Sequence, residues 1–234
     1  MSKKSETIKQ AGIEKAVSEN GIKSAFLAIR PPNFQMAILT IEGTAPYVQN
    51  KFSAKARNQI RETQVAGSTG RKGKTKEAKD FQAAYEGAMH ISNEGWYGIP
   101  APAFRNGLIS ACRTVGFKMT LAKLSLFVFA DGFDRDDASP LVRITKGQPQ
   151  YLELPVRNAT GVVDLRARPM WAPGWQAEIR IRWDADQFTL DDIANLLMRV
   201  GEQVGIGEGR ADSKSSCGMG WGHFRILEKK ETNE

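Results

Sequence analysis

From Gln176 to Trp183 the chain alternates Ala177, Ile179, Ile181 and Trp183 with Glu178, Arg180 and Arg182, a period of two that fits a strand with one buried and one wet face. The period then changes. Thr189 stands where a helix N-cap belongs, Asp191 and Asp192 follow in the first turn, and Ile193, Leu196, Leu197, Val200 and Val204 recur at steps of three and four, the stripe of an amphipathic helix. Gly205-Ile206-Gly207 closes it. A one-sided strand feeding a one-sided helix has to bury both apolar faces against each other, so the chain is constrained to a layered α+β fold.

Earlier segments supply the other elements. Met36 to Ile41 is a short apolar, β-branched run closed by Gly43 and reads as a buried strand. Ile99-Pro100-Ala101-Pro102 stops the chain, and Pro102 is suited to the first turn of a helix that runs to about Val115 before Gly116. Its apolar positions are Phe104, Leu108, Ile109, Ala111, Cys112 and Val115, with Arg105 and Arg113 apart from that stripe. Ser125–Ala130 and Leu141–Thr145 read as further strands, the first ended by Asp131-Gly132, and His223–Leu227 as the last.

Setting insertions aside, the order is strand, helix, strand, strand, helix, strand, that of an RRM-like or ferredoxin-like βαββαβ core with both helices on one face of an antiparallel sheet. The other face is left open to partners. The expectation is one domain over residues 1–234, with the core at about 36–43, 99–145 and 175–228. A basic flexible insertion occupies about 44–98, and a hairpin about 146–174 projects from the core.

Charge is concentrated in the first insertion. Between Lys51 and Lys79 stand nine Lys and Arg against two Glu, an excess equal to the net charge of +7 of the whole chain. Such a cluster, here Lys51, Lys55, Arg57, Arg61, Arg71, Lys72 and Lys74 among others, favours a polyanion, although a solvated loop that keeps the chain soluble has the same composition. Two cysteines, Cys112 and Cys217, make neither a disulfide framework nor a zinc site. No apolar run approaches a membrane span and Met1 to Gln10 is polar. A protein of the cytoplasm without membrane contact, cofactor or metal is expected.

Two segments are similar to a known family. They are Ile99-Pro100-Ala101-Pro102-Ala103-Phe104-Arg105-Asn106-Gly107-Leu108, and the Gly-rich stretch from Gly205-Ile206-Gly207-Glu208-Gly209-Arg210 through Gly218-Met219-Gly220-Trp221-Gly222-His223-Phe224. The first resembles the helix start, and the second the Gly-rich loop before the last strand, of the repeat-associated RAMP proteins, particularly the Cas7-like backbone subunits of CRISPR effector complexes. Arg105 stands where that helix start carries a lysine. The resemblance implies a subunit, in CRISPR defence or in a divergent phage or mobile-element branch of a prokaryotic host, that cradles a single strand of RNA or DNA by its backbone. It also implies stacking into a helical homo-oligomer, with other effector subunits as further partners.

The candidate contacts follow. Gly207, Gly209, Gly218 and Gly220 can take positive φ and bring backbone N–H groups close to phosphate, with Arg210 and Lys214 adding charge, while the same glycines would serve a helix cap and a tight turn. Arg105 and Arg113, eight residues apart, fall within about 80° on one helix surface and could meet one backbone. Arg157, Arg166 and Arg168 bracket the hairpin and, by resemblance, match a projecting thumb. Tyr47, Phe52, Trp96 and Tyr97 are candidates for base stacking, whereas Trp175, Trp183 and Trp221 are assigned to packing. No catalytic residue is expected: His90 and His223 lack a Ser, Cys or carboxylate at a telling spacing, and Asp131, Asp134, Asp136 and Asp137 read as a solvated turn. The enzymatic alternative is a Cas6-like, metal-independent endoribonuclease using His90 or His223 as general base. A viral assembly protein is the third reading.

Overall fold

The computed structural model describes residues 30–52, 54–65, 79–157, 163–212 and 218–227. The chain divides into two units, Met1–Pro32 and Asn33–Glu234; only residues 30–32 of the first are described, and the architecture is that of the second. Arg71, Lys72, Lys74 and Lys214 lie outside the described residues, as does the side chain of Lys55.

The fold is mixed α+β and its sheets are antiparallel. The long strands β1 (Phe34–Gly43) and β9 (Gln176–Asp184) pair along their length, Ile41 opposite Ala177 and Ala37 opposite Ile181. The short strand β10 (Phe224–Ile226) adds to the far edge of β1. The other edge of β9 is shared end to end by β4 (Leu126–Phe129) and β6 (Pro140–Lys146), which meet different ends of it. β3 (Gly98–Pro100) and β5 (Gly132–Phe133) then pair with β6. A second sheet has the order β2-β8-β7, made of β2 (Tyr47–Val48) and a hairpin of β7 (Pro149–Arg157) and β8 (Val163–Trp171).

Period two decides which side of the main sheet is buried. Ala177, Ile179, Ile181 and Trp183 of β9 and Ile41 of β1 face a continuous apolar core. Helix α3 (Ala101–Thr114) and helix α5 (Leu190–Arg199) supply the opposing layer through Phe104, Leu108 and Ile109, and through Ile193, Leu196 and Leu197. Helices α1 (Ala54–Val65) and α2 (Phe81–Glu86) lie within the segment expected to be an insertion, and α4 (Met119–Ser125) leads into β4. Burial at about 25 cal/mol per Å² of apolar surface makes this core the main source of stability. Trp175 and Trp183 belong to it, and so does Tyr47, whose ring meets Trp171 and Trp175 at 5.6 and 5.5 Å. Tyr47 is therefore packing, and Tyr97 likewise contacts Trp171; Phe52 is exposed.

Helix α5 begins with a capping box. The Thr189 hydroxyl accepts from the Asp192 amide at 3.2 Å, and the Thr189 amide donates back to the Asp192 carboxylate at 2.9 Å. The Asp192 carboxyl is held below its ordinary range by the bond from the Thr189 amide and by a second from the Thr189 hydroxyl, at 2.7 Å. Thr189→Ala is expected to cost about 1 kcal/mol, read as a lower urea midpoint with an unchanged m-value. The helix continues as a π-helical turn, Val200–Val204, whose Gly201 carbonyl accepts from His223 Nδ1 at 2.7 Å. His223 Nδ1 thus carries a proton, and its bond ties the start of the last strand to the helix end.

Candidate nucleic-acid interface

The Gly-rich loop that follows the π-helical turn begins at Gly205, and Gly205, Gly207 and Gly209 all take left-handed φ, at 71°, 79° and 76°. The alternation folds the loop tightly back against β2: the Glu208 amide donates to the Val48 carbonyl at 2.9 Å, and the Ile206 amide to that of Gly222 at 3.1 Å. Among the described residues the amides of Gly207, Gly209 and Arg210 meet no backbone acceptor. Loop, helix and hairpin together wall a cleft of about 500 Å³, lined by residues 204–210, by Ala103, Asn106, Gly107 and Ser110 of α3, and by Asn50, His90 and Arg166. The two sequence segments that carry the family resemblance therefore meet in one place, a hundred residues apart along the chain.

The arginines of this region are committed to protein partners. Arg168 Nε lies 2.6 Å from Glu208 Oε2, with Arg166 Nη1 3.8 Å from Glu208 Oε1. Arg113 Nη2 is 3.0 Å from Asp212 Oδ1. Arg210 braces the loop from within, donating to the Gly207 and Asp212 carbonyls at 3.0 and 3.1 Å. The Asp212 carboxyl is held below its ordinary range by a hydrogen bond from Ser110, which with Arg113 and Arg210 outweighs the opposing effect of burial. Arg105 does not join Arg113 at the cleft. It turns the other way, donating from Nε to the Leu126 carbonyl at 2.9 Å and from Nη2 to that of Lys123, so Asn106 and Ser110 face the cleft between them. Gly218 and Gly220 take left-handed φ of 65° and 70° and are not among the residues lining the cleft.

Within the expected basic interface, Lys51 requires correction. It is buried, and its ammonium is held between Asp134 at 2.5 Å and Asp136 at 2.7 Å. A buried cation already matched by two carboxylates has no room for a phosphate. Arg57 lies 3.9 Å from Asp137, and Arg61 is exposed. Asp134 itself is 1% exposed, so this part of the acidic run is not a solvated turn. Its second oxygen meets His90 Nδ1 at 2.9 Å, and His90 borders the cleft. Burial keeps His90 below its ordinary range despite the Asp134 hydrogen bond that opposes it, which favours a neutral ring donating from Nδ1. Nothing local in the sequence signals this cluster, because Asp134 stands 83 residues from Lys51 and 44 from His90.

Among the described residues no helix is long and apolar enough to cross a membrane, and no group of three or more His, Cys, Asp or Glu is placed to hold a metal ion. Neither a protein-family model nor a curated protein matches the chain.

Proposed function

We propose that this protein binds single-stranded RNA or DNA through backbone contacts without cleaving it, on an RRM-like, ferredoxin-like core, and coats the strand in several copies as the resemblance to Cas7-like subunits implies. The fold reading is supported by the strand order β10-β1-β9-β4 with α3 and α5 packed into the core on one side. The observation that carries the function is the convergence of the glycine loop and the polar side of α3 on one cleft. Left-handed glycines with amides that lack backbone acceptors suit an anion, because such donors can approach phosphate without an intervening side chain. The ion pairs of Arg113, Arg166 and Arg168 hold the walls and Arg210 braces the loop from within, so the loop backbone carries the contact.

Titration of labelled single-stranded RNA and DNA tests this. If about five phosphates are contacted, log K should fall with log salt at a slope near −3.5, about a hundredfold between roughly 50 and 200 mM. Asn106→Glu puts a carboxylate at an exposed position on the cleft wall; it is expected to weaken binding about tenfold with no change in the thermal midpoint. Binding equal to the wild type would remove the cleft from the reading. The His90–Asp134 contact favours a second reading, RNA cleavage with His90 as general base. Loss of cleavage with retained binding in His90→Ala would support the enzyme, and absence of cleavage by the wild type would dispose of it.

A further inference from the structure

The side of the main sheet turned away from the helices carries an unusual surface. In register across three strands, Met36 of β1 stands beside Arg182 of β9 and Phe127 of β4, and Ile38 stands beside Arg180 and Phe129. Phe34 completes the set, edge to face with Phe127 at 5.7 Å. Met36 and Ile38 are more than half exposed, and Phe34 and Phe129 more than a third. The Arg182 guanidinium lies among the rings, 4.5 Å from Phe34, 4.9 Å from Phe127 and 5.2 Å from Phe129. The Arg105 guanidinium also lies over the Phe127 ring, 5.6 Å from its centre.

The charges decide what this face suits. Arg113, Arg166 and Arg168 around the cleft are matched by carboxylates, and Arg180 is matched by Asp131. Among the described residues neither Arg182 nor Arg105 has a carboxylate partner, and the Arg182 Nε has no hydrogen-bond partner. An apolar protein surface laid over these rings would bury the charge of Arg182 with no carboxylate to answer it, and that of Arg105 with only two backbone carbonyls, a large penalty. Nucleobases would stack on the rings and on the guanidinium plane while their phosphates answer the charge. Duplex bases have their faces already occupied, so the fit is to a single strand.

We infer that the open face built by Phe34, Phe127, Phe129 and Arg182 is a stacking platform for the bases of single-stranded nucleic acid, a contact surface separate from the glycine-loop cleft. The inference rests on the reading of the protein as a strand binder and specifies where that strand is gripped by its bases. The test uses the full chain and oligonucleotides carrying 2-aminopurine, whose fluorescence reports stacking.

Phe34→Ala/Phe129→Ala is expected to weaken binding roughly ten- to a hundredfold. The salt slope should be unchanged, because the rings carry no charge, and 2-aminopurine quenching should be lost. Phe129→Trp, which keeps a stacking ring at an exposed position, should retain the 2-aminopurine quenching that the double alanine variant loses. Wild-type binding that the double alanine variant leaves intact overturns this inference alone. Absence of binding by the wild type overturns it together with the function. A change of oligomeric state in the double variant with unaltered affinity also overturns it, and assigns the face to a second copy of the chain.

Discussion

Gly222→Ala is expected to cost about 3–5 kcal/mol and to abolish the proposed strand binding with it. Gly222 has φ +73°, and a Cβ there would lie 1.8 Å from the Ile206 carbonyl oxygen and 2.7 Å from its carbon and nitrogen. The obstacle is backbone, so no side chain can swing aside. The residue is clamped on both sides, its amide donating to the Pro46 carbonyl at 2.7 Å and its carbonyl accepting from the Ile206 amide at 3.1 Å. Left-handed geometry alone costs a non-glycine residue about 1–2 kcal/mol, and each hydrogen bond opened to relieve the clash adds about 1 kcal/mol. Gly116 provides the control, because it has the same φ of +73° with nothing within 4 Å of a built Cβ. Gly116→Ala should therefore show only the left-handed penalty, about 1–2 kcal/mol. The difference between the two variants in urea unfolding measures the close approach of the two chain segments. Equal losses would mean that the glycine loop is free to shift, and the cleft with it.

What could be read from the sequence was what depends on neighbours a few residues away. β9, α3 and α5 were legible because their apolar positions repeat at two or at three and four, and because Thr189 and Pro102 mark the helix starts. β2, two residues long, carries no period and lies within the expected insertion, and β3, three residues long, falls at its border, where Ile99-Pro100 reads as a stop before the helix. The glycine loop was legible as a loop, but not the fate of its arginines: Arg168 meets Glu208 40 residues away, and Arg113 meets Asp212 99 residues away. The aromatic face was present in the pattern. Leu126-Phe127-Val128-Phe129 reads from the sequence simply as an apolar strand, yet its own alternation sets Phe127 and Phe129 on the side of Arg180 and Arg182, the wet side of β9. An apolar run in a sheet covered on one side cannot be buried throughout, and its alternation leaves the two phenylalanines on the open face.

Lys51→Met is expected to cost about 3–5 kcal/mol, because it strands a buried carboxylate. The Asp134 side chain is fully enclosed, with Lys51 on one oxygen and His90 on the other. Burial pushes its pKa up, but the Lys51 ammonium, the Asp136 amide and the His90 ring together bring it below the ordinary carboxylate value. In a chain of this size such a loss lowers the melting temperature by about 2–4 °C per kcal/mol. Lys51→Met/Asp134→Leu should be less destabilised than Lys51→Met alone, since the second change removes the stranded charge.

The pH dependence gives the argument its sign. A carboxyl with a depressed folded pKa contributes stability that is present above its unfolded pKa, about 3.9, and is lost as the pH falls through the lower folded value. His90, with a folded pKa also below its unfolded value of about 6.5, works in the same sense: below that pH the unfolded chain takes up the proton first, and stability falls. Without Lys51 the Asp134 carboxyl is free to rise and protonate in the folded state. The gap between wild type and Lys51→Met should therefore narrow as the pH is lowered from about 7 towards 4. A gap that stays constant over that range, or a loss below about 1 kcal/mol at neutral pH, would mean that Asp134 is hydrated and that the cluster beside the cleft is a surface ion pair.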